Sequence, residues 1–331
     1  MLKVAITCNT KGTEPAANPE DEAEFDSPET VQAIADALAQ AGHQVEIEEA
    51  DDELLQRLLN NRPDIVFNIA EGRNGRGREA QVPAMLSYLG IPYTGSDEVT
   101  LAAVMDKHNT NRLLETYDVY TPVSELIKAG VYPEYIEMLW EIPYPFVVKP
   151  NSEGSSKGIN DSSVVRSWKE LVAALERGQA GEARDMLVEQ YIEGREITVG
   201  ILGNGLQRSI FRPMEVIFND PSQPIYSYEV KQDFRRYVSY ACPADIDESV
   251  ENKLIEYTKN ACDALNIRDM ARLDFRLDSD NQVYFIEINP LPGLAPGYSD
   301  FPMIAEYHGM DYTALIQAVL DSALARYGIK P

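Results

Sequence analysis

Cysteine is scarce. Cys8, Cys242 and Cys262 are the only three in 331 residues. They stand far apart, in no spacing that suits a metal or a disulfide framework, which excludes a cysteine-stapled secreted scaffold and reads as reduced thiols in the cytoplasm. Basic residues are also in short supply: 29 Lys and Arg against 54 Asp and Glu leave a net charge of −25, which argues against nucleic acid or an anionic membrane as partner. No apolar run approaches the ~18 residues of a membrane span, and the opening MLKVAITCNT is too short an apolar run for a signal peptide. There is no internal repeat of fixed period, and no G-x-x-x-x-G-K-[ST] loop. What is present is an ordinary hydrophobic content of 44% and enough length for about two domains.

The first third alternates strand and helix. Leu2–Cys8 reads as a buried strand, and 11–26 as a long, polar, acidic surface loop. Ser27 caps a helix with Pro28 at its first position, running to Gly42. A strand at 45–49, a helix at 52–60, a strand at 64–70 and a helix at 79–89 stopped by Gly90 follow, then a short strand Ile91-Pro92-Tyr93. This alternation predicts an α/β fold with a parallel sheet and helices on its faces. Residues 97–117 read as mostly helical, with Lys107 inside, and Pro122 opens a second region. Strands are expected at 145–150, 186–191 and 196–201, helices at 168–177, 250–265 and 312–327, and little helical periodicity over 211–240.

Gly75-Arg76-Gly77-Arg78-Glu79-Ala80 fits G-x-G-x-x-A between a strand and a helix, with Asp97 beyond it. The turn out of the strand is too long for a dinucleotide fold, and Arg73, Arg76 and Arg78 crowd it. A loop that holds an anionic substrate, or a solvated one, suits it better.

The most informative stretch is 272–297. Asp278-Ser279-Asp280-Asn281 is turn chemistry between two alternating runs, Arg272–Leu277 and Gln282–Asn289, and predicts a hairpin. Pairing Leu277 with Gln282 sets Arg272 opposite Glu287 and Asp274 opposite Phe285. Arg272, Asp274, Glu287 and Asn289 then share one face, while Leu273, Phe275, Tyr284, Ile286 and Ile288 form an apolar face for the core. Two carboxylates and a carboxamide oxygen on one face suit Mg²⁺ completed by substrate phosphates; a solvated charged face is the plainer alternative. Earlier in the chain, 151–158 (NSEGSSKG) is a small-residue loop whose N–H groups can approach phosphate, and Lys149 precedes it at a strand end. In 188–196 (VEQYIEGRE), acids flank a glycine turn and could take ribose hydroxyls.

In their order these pieces resemble the ATP-grasp superfamily, specifically relatives of D-alanine–D-alanine ligase. The pieces are a lysine in a helix, Lys149-Pro150-Asn151-Ser152-Glu153-Gly154-Ser155-Ser156, Glu189…Gly194-Arg195-Glu196, Tyr228-Glu229-Val230-Lys231, Arg272-Leu273-Asp274, and Glu287-Ile288-Asn289…Pro292-Gly293, with Ile91-Pro92-Tyr93-Thr94-Gly95-Ser96 before them. The resemblance covers nearly the whole chain. It implies an ATP-grasp fold with an N-terminal Rossmann-like parallel-sheet domain (1–97), a central subdomain (98–186) and a C-terminal subdomain of α+β character carrying metal site and lid (187–331). It implies ATP and two Mg²⁺ ions, with Mn²⁺ as a substitute, small-molecule carboxylate and amine or amino-acid substrates, and it admits a homodimer. Lys107 and Lys149 would hold ATP phosphates, with Ser156 and Ser155, the latter also a catalytic candidate, on the covering loop. Glu189 and Tyr191 would border adenine, Glu196 would bind ribose, and Lys231 would reach phosphate from a lid around 226–236. Asp274, Glu287 and Asn289 would bind metal. Arg272, with a backbone N–H near Gly293, would stabilise the oxyanion when the amine attacks an acyl phosphate.

The substrate half departs from the family. The Gly-Gly-x-Ser-x-Glu run, whose glutamate holds the first substrate's amine, is replaced by Thr7-Cys8-Asn9-Thr10-Lys11-Gly12. The His-Gly segment becomes Glu71-Gly72-Arg73-Asn74-Gly75, Gln232 follows the lid lysine, and the Met-Thr-x-x-Ser run becomes the longer Leu294-Ala295-Pro296-Gly297-Tyr298-Ser299. Glu71 or Glu14 could replace the missing glutamate, Arg73, Arg76 and Arg78 could fork an acidic group, and Tyr298 or Ser299 could contact the second substrate. The expected activity is an ADP-forming carboxylate–amine ligase whose first substrate is larger or more anionic than alanine, with D-alanine not preferred at both positions. A non-catalytic nucleotide binder of the same fold is the alternative; it would not need Arg272.

Overall fold

The computed structural model describes residues 1–12, 22–131, 144–154, 157–158, 160–180, 184–220 and 234–330. Ser155, Ser156, Lys231, Glu14 and residues 226–233 of the expected lid lie outside these.

Three sheets organise the chain. β1 (Lys3–Cys8), β2 (Gln44–Glu49) and β3 (Ile65–Asn68) form a parallel sheet in the order β2-β1-β3. β1 is central and almost wholly buried, as a continuous apolar run requires when both faces are covered. Ile91-Pro92-Tyr93, expected as a strand, contributes one parallel bridge, Val66 to Tyr93. The helix Pro28–Gln40 begins as its signals require: Ser27 Oγ accepts from the Thr30 N–H at 3.2 Å.

β4 (Ser124–Ile127), β5 (Phe146–Pro150), β6 (Val164–Val165) and β7 (Met186–Gln190) form an antiparallel sheet, β4-β7-β5-β6. The helix Trp168–Gly178 lays Leu171, Ala174 and Leu175 on Phe146, Val148 and Val188. β7 belongs to this sheet, so the expected boundary after residue 186 falls inside a strand.

β8 (Arg195–Leu202), β9 (Ser209–Ile210), β10 (Met214–Phe218), β11 (Val238–Ala241), β12 (Met270–Leu277) and β13 (Val283–Asn289) form the six-stranded sheet, β11-β10-β8-β12-β13 with β9 on β8. One face packs under the helix Glu248–Ala264, whose Leu254, Tyr257 and Ala261 meet Val199, Leu273 and Phe275. The helices Asp300–Tyr307 and Tyr312–Tyr327 join the helix Pro28–Gln40 and β1 in one core. Asp269, fully buried, accepts from Arg326 Nη2 at 2.7 Å, Asn204 Nδ2 at 2.6 Å and the Gly95 N–H at 2.8 Å. This network ties the last helix to the end of the parallel-sheet region.

The helical run 97–117 is two helices, Glu98–Val104 and Lys107–Glu115. Asp97 and Asp106 each cap one through the N–H three residues on, which restarts the chain at Lys107. β4 and the helix Asp300–Tyr307 were not anticipated; the latter carries Pro302 in its first turn, where proline is tolerated.

The hairpin register also differs. Leu277 pairs with Val283, Asp274 with Glu287 and Arg272 with Asn289, with a shift between Asp274 and Phe275. The turn is one residue longer than expected, and a β-bulge near Ile286 inserts one more. The two slips cancel in parity, so Arg272, Asp274, Glu287 and Asn289 do share a face. Phe285 turns to the core edge-on to Phe275 at 5.9 Å. Tyr284 and Ile286, expected in the core, are only half-buried.

Candidate active site

A cleft of about 540 Å³ opens where the strands of the parallel sheet end, the edge at which open α/β sheets place ligands. One wall is Lys11, Glu24, Asp26, Glu71 and Glu79; the other is Arg272, Glu287, Asn289, Gly293, Tyr298 and Ser299. A smaller cavity of about 120 Å³ carries Lys149, Glu189, Tyr191, Glu196 and Asp274 among its lining. Lys107, Glu153, Arg272, Ile286, Glu287 and Asp300 line both. The polar face of β12–β13 is therefore the partition between two chambers.

On that partition Arg272 Nε and Nη2 donate to Asp274 at 2.9 and 2.8 Å, and Arg272 Nη1 lies 3.6 Å from Asp300. Burial disfavours its charge, but Asp274, Asp300 and Glu287 outweigh that and hold the guanidinium above its usual range. Asp274 also accepts from Thr198 Oγ1 at 2.8 Å and Asn289 Nδ2 at 3.2 Å. Lys107 donates to the Glu153 carbonyl. Burial pulls its pKa below the usual lysine range, helped by Lys149 and opposed by Glu287, Glu79 and Glu24.

In the smaller chamber the buried charges come in bonded pairs. Lys149 Nζ donates to Glu189 at 2.9 Å, with both side chains about 5% exposed or less, and Asn111 Nδ2 donates to the other Glu189 oxygen at 3.4 Å. Arg276 donates to Glu196 at 3.1 Å and to the Ile192 carbonyl at 2.8 Å, and lies 5.0 Å over the Tyr191 ring. Gly194 has no substitute in the turn between β7 and β8: with φ at +146°, a Cβ there would stand 1.9 Å from the Leu277 carbonyl oxygen.

The far wall of the larger chamber is different. Glu24 receives Arg78 Nε at 3.0 Å, Lys157 Nζ at 2.8 Å and the Gly154 N–H at 2.9 Å. Burial would raise its pKa, but these bonds hold it below the usual range. Beside it, burial pushes Asp26 up to about 6. Burial and the Glu24 charge push Glu79 up to about 7. Burial and the Glu79, Glu24 and Asp26 charges raise Glu71 well above its ordinary value.

Of the residues singled out from sequence, Lys107, Lys149, Glu189, Tyr191, Glu196, Arg272, Asp274, Glu287, Asn289, Gly293, Glu71, Tyr298 and Ser299 are brought to this pair of chambers. Arg73 is not: half-exposed, it pairs with Asp52. Arg76 is exposed near Asp106 at 3.7 Å. Arg78 is turned away to Glu24 and the Ser152 carbonyl. The guanidinium forks expected to meet an acidic substrate are thus engaged elsewhere. Glu24, Asp26, Glu79 and Asp300 were missed. Glu24 and Asp26 end a stretch whose acidity reads as a solvated loop, yet the Glu24 side chain is only 4% exposed. Ser299 Oγ accepts from the Ala295 N–H at 3.2 Å and would stand 2.7 Å from a Cβ at position 293, so Gly293 is what lets the two segments meet.

A family model described as "D-ala D-ala ligase C-terminus" matches residues 130–321. The D-alanine–D-alanine ligase of Aquifex aeolicus is 34% identical over 88% of this chain and 93% of its own length. A Sinorhizobium fredii protein, y4sG, described as uncharacterized, is 31% identical over 98% of each chain. The crystal structure of D-alanine–D-alanine ligase from Bacillus anthracis complexed with ATP superposes with a TM-score of 0.78 at 20% identity, over 99% of both chains.

Proposed function

Because the chain belongs to the D-alanine–D-alanine ligase family of ATP-grasp ligases, we propose that its two chambers divide one reaction, with ATP in the smaller and the organic substrates in the larger. The protein is an ADP-forming carboxylate–amine ligase that makes a peptide bond, using ATP and Mg²⁺. A carboxylate is a poor acyl donor until phosphorylated, and the amine of the second substrate then displaces phosphate from the acyl phosphate.

The observation that carries the division is the shared lining. Arg272, Glu287 and Lys107 border both chambers, so a phosphoryl group on one side and a carboxylate on the other would meet at the same charged groups. Asp274 and Glu287, register partners, and Asn289, partner of Arg272, offer hard oxygens of the kind Mg²⁺ takes, and the donor set fits the ion. Bound there, Mg²⁺ would neutralise charge on the phosphoryl group in transfer. Lys107 and Lys149 add positive charge, and the Glu189 bond fixes where the Lys149 ammonium sits. Arg272, already beside the partition, stabilises the oxyanion together with a backbone N–H near Gly293. Tyr191 and Glu196 would border the nucleoside. The phosphate-covering role for Ser155 and Ser156 and the lid role for Lys231 rest on the sequence motifs, as those residues lie outside the described ones.

Glu287→Gln should reduce ADP release to background in an assay with Mg²⁺-ATP and a panel of acids and amines. Turnover near that of the unaltered protein would remove Glu287 from the metal site. A second reading, ligation of two D-alanines, is favoured by the 34% identity to the Aquifex aeolicus enzyme. It predicts D-alanyl-D-alanine as the fastest-formed product when D-alanine is the only amino acid supplied. We further propose a cytoplasmic enzyme, on the strength of its three scattered cysteines, and one without nucleic-acid partners, on the strength of the −25 charge. Among the described residues no helix is long and apolar enough to cross a membrane. A homodimer, if formed, would show in light scattering at twice the chain mass.

A further inference from the structure

We propose that the carboxylate substrate carries a basic group, an amine or guanidine, beyond any α-ammonium, and that Glu71, Glu79 and Asp26 receive it in the larger chamber. This rests on the ligase reading and names its substrate class.

Glu79 carries the inference. Its side chain lines the cleft although the residue is only 9% exposed, and among the described residues it has no hydrogen bond or ion pair. The Glu71 and Asp26 carboxylates line the same end, also without a bonded cation. The cations nearby are hydrogen-bonded elsewhere, although Arg78 and Lys107 still act on Glu79 through space. Arg78 and Lys157 are bonded to Glu24, and Lys107 to the Glu153 carbonyl. Lys11 is exposed, and its ammonium acts on Asp26 through space. Glu79 is nearly buried and Glu71 and Asp26 are half-buried, so the cleft disfavours their charged forms. The upward shifts of Asp26, Glu71 and Glu79 are what that penalty looks like with no ligand bound.

One ammonium would offset one of the three carboxylates, so a single α-amino group leaves an excess. An acidic substrate is worse, because it would meet like charge, while Arg73 and Arg76 lie on Asp52 and Asp106 outside the cleft. Amines and guanidines carry several donors on a spread charge and bridge carboxylates set further apart.

The test is ADP release with Mg²⁺-ATP on matched acids of both hands: lysine against norleucine, ornithine against norvaline, 2,3-diaminopropionate against 2-aminobutyrate, with glutamate added. One basic acid should exceed its neutral partner by about tenfold or more in kcat/KM, roughly the weight of one charge-assisted contact. The Glu71→Gln, Glu79→Gln double variant should lose that preference while binding ATP as before. A neutral or acidic acid turned over best, or a preference that survives the double variant, overturns the proposal. If no acid at all releases ADP, the ligase reading is at fault, and calorimetric titration of the same pairs decides the inference separately. Tighter binding of the basic members, abolished in the double variant, supports it; equal or weaker binding overturns it.

Discussion

The two chambers bury similar side chains and treat them in opposite ways. In the smaller one the buried ions are bonded to a countercharge, Lys149 to Glu189 and Arg276 to Glu196. In the larger one only Glu24 is paired that way, with Arg78 and Lys157, while Asp26, Glu71 and Glu79 line the cleft with no bonded cation among the described residues. The smaller chamber is organised before anything binds, as suits a nucleotide that is the same in every turnover. The larger is electrostatically incomplete, and what completes it must come with the substrate. Difference in ligand is written as difference in charge balance.

The comparison breaks first at Glu189. Glu189→Leu should strand the Lys149 ammonium in a dry site and cost roughly 3–5 kcal/mol of stability, the usual result of removing half a buried pair. Chemical denaturation of the ligand-free protein would check this, and a loss under about 1 kcal/mol would mean that the pair is solvated in practice.

On the other side the sign should reverse. Glu79 has its pKa raised from 4.5 to about 7, by burial and by Glu24 and Glu287, against Arg78 and Lys107. Between those values the folded protein keeps a proton that the unfolded chain has released. This contribution to stability is therefore present below pH 4.5, falls as pH rises, and is gone above about 7. Asp26, raised from 3.8 to about 6, acts in the same direction. Glu79→Gln should then hold the ligand-free protein at pH 8 above the unaltered protein by ~1–3 kcal/mol and flatten the fall between pH 5 and 8. Melting curves across that range would show it, and an unchanged slope would mean that Glu79 is paired in solution. The smallest effect belongs to Arg73. Exposed on Asp52, it should tolerate Arg73→Ala within about 0.5 kcal/mol in both stability and transition-state energy; a tenfold loss in kcat/KM would bring it back to the substrate.

The sequence made the smaller chamber legible because its parts are local. Lys149 ends a strand beside a small-residue loop, and Glu189 and Glu196 flank a glycine turn. The polar face of the hairpin was legible for a subtler reason. Side-chain direction depends on register only through parity, so a long turn and a bulge, each invisible beforehand, cancelled. The acid wall was legible only at Glu71, which stands at a predicted strand end. Glu24, Asp26 and Glu79 each look solvated in their own neighbourhood. Only the packing of Gly72 against the Arg78 carbonyl, where a Cβ would stand 2.0 Å away, folds the 71–79 loop tightly enough to bring Glu71 and Glu79 together. The same packing sends Arg78 to Glu24, which is why arginines that suggested an acidic substrate ended up neutralising the protein instead.

The core shared by β1, the helix Pro28–Gln40 and the helices Asp300–Tyr307 and Tyr312–Tyr327 has a bearing on how the protein is made. The first sheet leaves the ribosome some 250 residues before the helices that cover Ile6, Ile34 and Leu38, at roughly 5–20 residues per second. For that interval, on the order of ten seconds or more, an apolar face waits for its cover, and a nascent chain in that state is a natural client for a chaperone. A fragment ending before Asp300 should bind a hydrophobic dye strongly where the full chain does not, and a dye-silent fragment would mean that the first sheet closes its core alone.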